Sequence, residues 1–215
     1  MIGLNLPTII SLAITLVIAI TVHEFSHAYA ADLLGDPTPR RDGRLTLNPM
    51  MHLDPIGSII FVVSGFGWGR PVLTNPYNLR PPLRTSMAIV AAAGPFSNLI
   101  LALLGAIPYR LGVGQFLNIG EIPGIVPSVA GFLHLFISVN IGLMLFNLIP
   151  IAPLDGSKIA VGVLPREWAE PLARLEPYGP IILLFLLMSG RFGFDIFGRL
   201  IGPAQGGLFS LITGL

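Results

Sequence analysis

Apolar residues run almost unbroken from Leu4 to Leu34, from Thr85 to Ile107 and from Ser128 to Ile149. Each run is long enough to cross a bilayer as a helix, which takes about 20 mainly apolar residues. Between the first two runs the pattern changes. GRLTLNP at Gly43–Pro49 alternates like a short strand, and His52–Val72 carries a β-branched apolar run closed by Gly65, Gly67 and Gly69. Ile56–Val63 is too short to cross as a helix, and non-helical backbone at membrane depth survives only where protein or water satisfies it. The pattern therefore predicts a β-hairpin or re-entrant element over about residues 43–76, with an edge able to pair with an extended peptide.

After the third run, NLIPIAPLDGSKI at Asn147–Ile159 breaks helical hydrogen bonding at Pro150 and Pro153 and permits a turn at Gly156. Leu175–Gly190 predicts a further crossing. Gly193–Leu215 predicts a helix that spans or lies along the interface. The expected fold is an α-helical polytopic membrane protein, a single domain over residues 1–215. It has a three-span core at about 4–159 and one to three further membrane-associated helices at about 160–215.

Composition supports the bilayer as solvent. Of 215 residues, 53% are hydrophobic and 11% charged, against about 25% charged in ordinary soluble domains, and the mean hydropathy is +0.80. So few charges cannot cover a soluble surface. A net charge of +1 from scattered basic residues argues against nucleic acid as a partner. The absence of cysteine removes disulfides, thiolate metal ligands and a cysteine nucleophile together. No Lys or Arg precedes Arg40, so the first run lacks the basic region of a signal peptide and reads as a retained span. Arg40, Arg41 and Arg44 follow the first run, and Lys158, Arg166 and Arg174 follow the third. The bias of basic residues to cytoplasmic loops predicts the N-terminus outside and residues 35–84 inside.

The chemistry concentrates in IAITVHEFSHAYAAD at Ile18–Asp32, where His23, Glu24 and His27 close the first apolar run, in its cytoplasmic half. Residues four apart on a helix share a face, so His23 and His27 can converge on one metal ion with Glu24 beside it. Ionisable groups are costly in apolar surroundings and there generally pair, line a wet cavity or serve a function. Asp155, on the broken backbone at the same membrane side, is the best third ligand. Three protein ligands leave a fourth zinc position open, the arrangement of catalytic sites. Glu24 then acts as general base. A reading from another class, a metal transporter using His23, His27 and Asp155 for transient binding, explains the buried ligands but gives Glu24 no proton-transfer task.

HEFSH at His23–His27, GPFSN at Gly94–Asn98 and NLIPIAPLDG at Asn147–Gly156 resemble, in order and spacing, the site-2 proteases, zinc metalloproteases that cut substrates within the membrane. The GRLTLNP and GFGWGRPV segments are similar to those of a compact prokaryotic branch without PDZ or CBS domains. Ser26 departs from the glycine common at that place. The resemblance implies one catalytic zinc bound by His23, His27 and Asp155, with Glu24 catalytic, in a prokaryotic cytoplasmic membrane. It implies a transmembrane protein or peptide as substrate, and places the family's substrate-holding hairpin at Ile56–Val72, with Gly65 and Gly67 among its candidate contacts.

Asn140 and Asn147 lie two helical turns apart on one face and are candidates either to orient the scissile peptide or to hydrogen-bond between helices. Asn98 is a further candidate, with packing as the simpler role. His134 falls on another face and reads as a satisfied interior histidine; His52, beside Asp54, reads as a loop stabiliser; Trp68 reads as an interface anchor or as packing.

Overall fold

Three long helices frame the structure, a computed structural model that describes residues 5–64, 67–113, 119, 126–192 and 194–215. Helix α1 (Leu6–Leu33) starts where the Asn5 side chain accepts the Thr8 amide at 3.0 Å and Pro7 occupies the first turn. Helix α4 (Leu83–Arg110) and helix α5 (Val129–Asn147), the latter capped by Ser128, complete the frame. All three are long and apolar enough to cross a membrane, and the protein is an α-helical polytopic membrane protein. Apolar side chains such as Phe96, Leu104, Ile181 and Phe185 are more than half exposed on the outer surface. Lipid satisfies that exposure as water cannot.

The core lies where the frame helices meet. Leu12, Leu16 and Ile20 of α1 pack on Leu135, Val139 and Leu143 of α5. Ala102 and Ala106 of α4 pack on Ile137 and Ile141, small residues allowing close helix approach. Helix α9 (Ile196–Thr213) lays Leu208, Phe209 and Ile212 against the same cluster, and the Arg110 guanidinium donates to the Ile212 and Leu211 carbonyls at its end. Helices α7 (Arg166–Arg174) and α8 (Gly179–Met188) lie where one more crossing is expected; with Glu176–Tyr178 they form an apolar pair bent by 40°.

Short helix α6 (Asp155–Val163) leans on α4. The Arg84 guanidinium donates to the Val161 carbonyl at 3.1 Å and to the Leu164 carbonyl at 2.9 Å, satisfying carbonyls that a helix end leaves open. Asp155 thereby occupies the first turn of a braced helix, where the macrodipole favours a carboxylate.

The α1–α4 connection corrects the sequence reading. Pro55–Ser64, expected within a β-hairpin or re-entrant element, is helix α3, and GRLTLNP forms no strand. Among the described residues the β element reduces to one antiparallel bridge, Leu53 with Gly69. A lone strand leaves its backbone groups unpaired, whereas a helix satisfies them internally. The start signal was present: Pro55 stands at the first helical position, and the Asp54 carboxylate accepts the Gly57 amide at 2.8 Å. Short helix α2 (Thr38–Arg41) follows α1, and fully buried Asp36 ties this corner to the segment before α4. Its carboxylate accepts from the Thr38 amide and hydroxyl, the Asn75 amide and the Asn78 side chain.

Candidate metal centre

Two turns of α1 and the first residue of α6 meet at three atoms. His23 Nε2 and His27 Nε2 are 3.0 Å apart, and Asp155 Oδ2 is 3.2 Å from each. All three residues are buried.

The proton positions follow from fixed acceptors. His27 Nδ1 lies 2.7 Å from the Val90 carbonyl, which only accepts, so Nδ1 carries the proton. For His23 the chain is longer. Asn140 donates through Nδ2 to the Phe136 carbonyl at 2.8 Å, which leaves its Oδ1 to accept from Asn98 Nδ2 at 3.0 Å. Asn98 Oδ1 then faces His23 Nδ1 at 2.7 Å and receives its proton. In its neutral form, with Nδ1 protonated, each ring turns the Nε2 lone pair inward toward Asp155 Oδ2, which is buried and has no hydrogen-bond partner among the described residues.

Three converging lone pairs repel unless a cation lies among them. Two imidazoles and a carboxylate, with each Nδ1 fixed by an outer acceptor, form a donor set suited to zinc. The residues present fit the ion. Gly94 shapes the space on the α4 side: a Cβ there would lie 2.4 Å from His27 Nε2 and 2.6 Å from His23 Nε2.

A cavity of about 430 Å³ opens on these atoms, lined also by Glu24, Trp68, Val72 and Asn147. Glu24 Oε2 accepts the Val72 amide at 3.2 Å, so the segment Gly67–Thr74 passes directly beside the carboxylate. The candidates sort as follows. His23, His27 and Asp155 meet; Glu24, Asn147 and Gly67 line the same cavity; Gly65 lies outside the described residues. Asn147 donates to the Leu143 carbonyl at 3.0 Å. Asn140 and Asn98 are fully buried behind the histidines, which makes Asn98 a ring-orienting contact.

His52 and His134 stand outside the cluster. Burial pushes the His52 imidazole below its ordinary value, opposed by the bond from its Nε2 to the Thr46 carbonyl, and His134 packs on Phe209 with ring centroids 4.5 Å apart. Sequence reasoning missed the Val90 carbonyl and the clearance at Gly94. A main-chain acceptor has no residue-type signal, but a glycine one residue before a proline inside an apolar helix was a visible cue.

Membrane-crossing helices around a buried imidazole, imidazole and carboxylate cluster define a helical membrane protein with a candidate metal centre. The chain is 39% identical over 178 residues to "Putative zinc metalloprotease YwhC" of Bacillus subtilis, which is 83% of this chain and 80% of that protein. Proteins named "Putative zinc metalloprotease Rip2" are 30% identical over 175 residues in Mycolicibacterium smegmatis and 28% over 188 residues in Mycobacterium tuberculosis. Those matches span 80% and 84% of this chain and 64% and 68% of the mycobacterial proteins. No family model and no solved structure matches. The chain belongs to the family of zinc metalloproteases that YwhC and Rip2 represent.

Proposed function

We propose that this chain is an intramembrane, site-2 protease-like zinc endopeptidase. It hydrolyses peptide bonds in transmembrane segments during regulated intramembrane proteolysis, in a prokaryotic cytoplasmic membrane with the site toward the cytoplasmic half. The observation that carries the reading is the inward convergence of His23 Nε2, His27 Nε2 and Asp155 Oδ2 beside Glu24 and the Gly67–Thr74 segment.

His23, His27 and Asp155 hold the ion. Bound there, zinc supplies a Lewis acid and lowers the pKa of water to about 7. Glu24 takes the proton of the attacking water and returns it to the leaving amine. Asn98 and Val90 keep both histidines in the tautomer that presents Nε2. Asn147 and Gly67 line the cavity, and in this reading they contact the peptide near the scissile bond. A helical substrate shields its peptide bonds, so it must unwind first, and the Gly67–Thr74 segment offers main chain for the unwound stretch to pair with.

The test uses purified protein in detergent with a fluorophore- and quencher-labelled transmembrane peptide. Glu24→Gln is expected to keep zinc and lose cleavage, while His23→Ala loses both. Cleavage retained in Glu24→Gln contradicts the reading. Metal flux into vesicles that persists in Glu24→Gln, with no peptide cut by the wild-type protein, favours a transporter.

A further inference from the structure

The connection between α1 and α4 has two arms, Gly43–Leu53 and Gly67–Asn75, and a buried arginine joins them. Arg44 is 5% exposed, and its guanidinium donates to the Met51 carbonyl on the first arm and the Arg70 carbonyl on the second. Among the described residues no carboxylate lies within ion-pair distance of it. Its hydrogen bonds among the described residues go to main-chain carbonyls, and a guanidinium taken that far out of water is costly to keep. Its planar fork suits bridging two carbonyls, which a lysine ammonium does less well.

The end of the second arm is held by the Asn75 amide on Asp36. The Arg70 amide donates to the His52 carbonyl at 2.7 Å, and Leu53 bridges Gly69 antiparallel. His52 is itself fully buried and anchored on the Thr46 carbonyl at 2.7 Å. The far side of the arm rests on Glu24, through the Val72 amide. Contact with α1 is close: a Cβ on Gly69 would lie 2.7 Å from Ile20 Cγ2 and 3.4 Å from Glu24 Oε1. In this register the Arg70 groups face the first arm, and those of Gly69 face the opposite edge. The Gly69 amide and carbonyl have no partner among the described residues.

We infer that Arg44 is a positioning residue for substrate: by tying the Arg70 carbonyl to the first arm it sets the Gly69 edge beside Glu24, where an unwound peptide pairs with the Gly69 amide and carbonyl. The inference rests on the endopeptidase reading. It assigns Arg44 to peptide affinity and leaves metal retention to the Asn98, Val90 and Gly94 side of the site.

Two measurements on the full chain in detergent test it. In a Glu24→Gln background, the labelled transmembrane peptide is expected to bind about tenfold more weakly when Arg44→Met is added, with Arg44→Lys recovering part of the affinity. Hydrogen exchange is expected to quicken at Arg70 and Val72 while the α1 and α6 amides around the metal cluster keep their protection and zinc content holds. Unchanged affinity with unchanged exchange overturns the inference. Faster exchange throughout the bundle also overturns it, making Arg44 a general scaffold residue. Failure of the wild-type protein to cut any peptide counts against the endopeptidase reading, whereas binding and exchange decide Arg44 separately.

Discussion

His23 donates its Nδ1 proton to Asn98 Oδ1 across 2.7 Å, and Asn98 cannot turn because its amide nitrogen is engaged by Asn140. One asparagine on α4 thus sets which nitrogen of a histidine on α1 faces the cluster. Asn98→Ala is expected to weaken zinc binding by about ten- to a hundredfold, the usual effect of losing an outer partner of a ligating histidine. Competition against a fluorescent zinc chelator measures it. Asn98→Asp, which keeps an acceptor for His23, should retain more of the affinity.

Gly94→Ala should abolish metal binding while sparing helix content. The added methyl carbon would stand 2.4 Å from His27 Nε2, and the backbone of α4 cannot retreat without disturbing its packing on α1. Zinc content together with far-ultraviolet circular dichroism checks this. Full zinc occupancy in the variant would contradict it.

The three spans were legible because periodicity is irrelevant to a run that is apolar throughout; only length and punctuation matter, and Pro7, Gly35 and Ser128 supplied the punctuation. The meeting of Asp155 with the histidines was legible too, through the prolines that break the chain just before it. The α3 region was misread. Ile59 to Val63 is a β-branched and aromatic run whose propensity favours strand, but with no partner strand among the described residues the helix satisfies its own backbone, and Asp54–Pro55 had already marked its start. Arg44 gave no signal of a buried role, since an arginine after a span reads first as a topology marker. Of the two roles open to Asn140, the structure shows the interhelical hydrogen bond, to Asn98; helical spacing fixes a face and says nothing of which neighbour occupies it.

Asp36 gives a pH-dependent stability term. Burial alone would push its carboxyl up, but hydrogen bonds from Thr38, Asn78 and Asn75 outweigh that and hold it below the ordinary carboxylate range. A folded-state value below the unfolded one stabilises the fold above about pH 4, and the contribution is lost as pH falls further. The thermal midpoint of the wild-type protein should therefore drop on acidification below that point. Asp36→Asn should start lower at pH 7, by about 1–3 kcal/mol, and show a shallower acid drop.

Removing the ion with a chelator should lower the thermal midpoint of the wild-type protein, since a ligand bound only by the folded state stabilises it by mass action. Asp155→Ala should respond little to chelator or to added zinc. Differential scanning fluorimetry with and without chelator makes the comparison.

Zinc-edge X-ray absorption on the purified protein addresses the central claim most directly. The account predicts one zinc per chain with two imidazole nitrogens and carboxylate or water oxygens in its shell, and loss of imidazole scattering in His27→Ala. A protein that purifies without metal and acquires none from zinc-containing buffer, or a bound zinc whose shell is unchanged by His27→Ala, would contradict it.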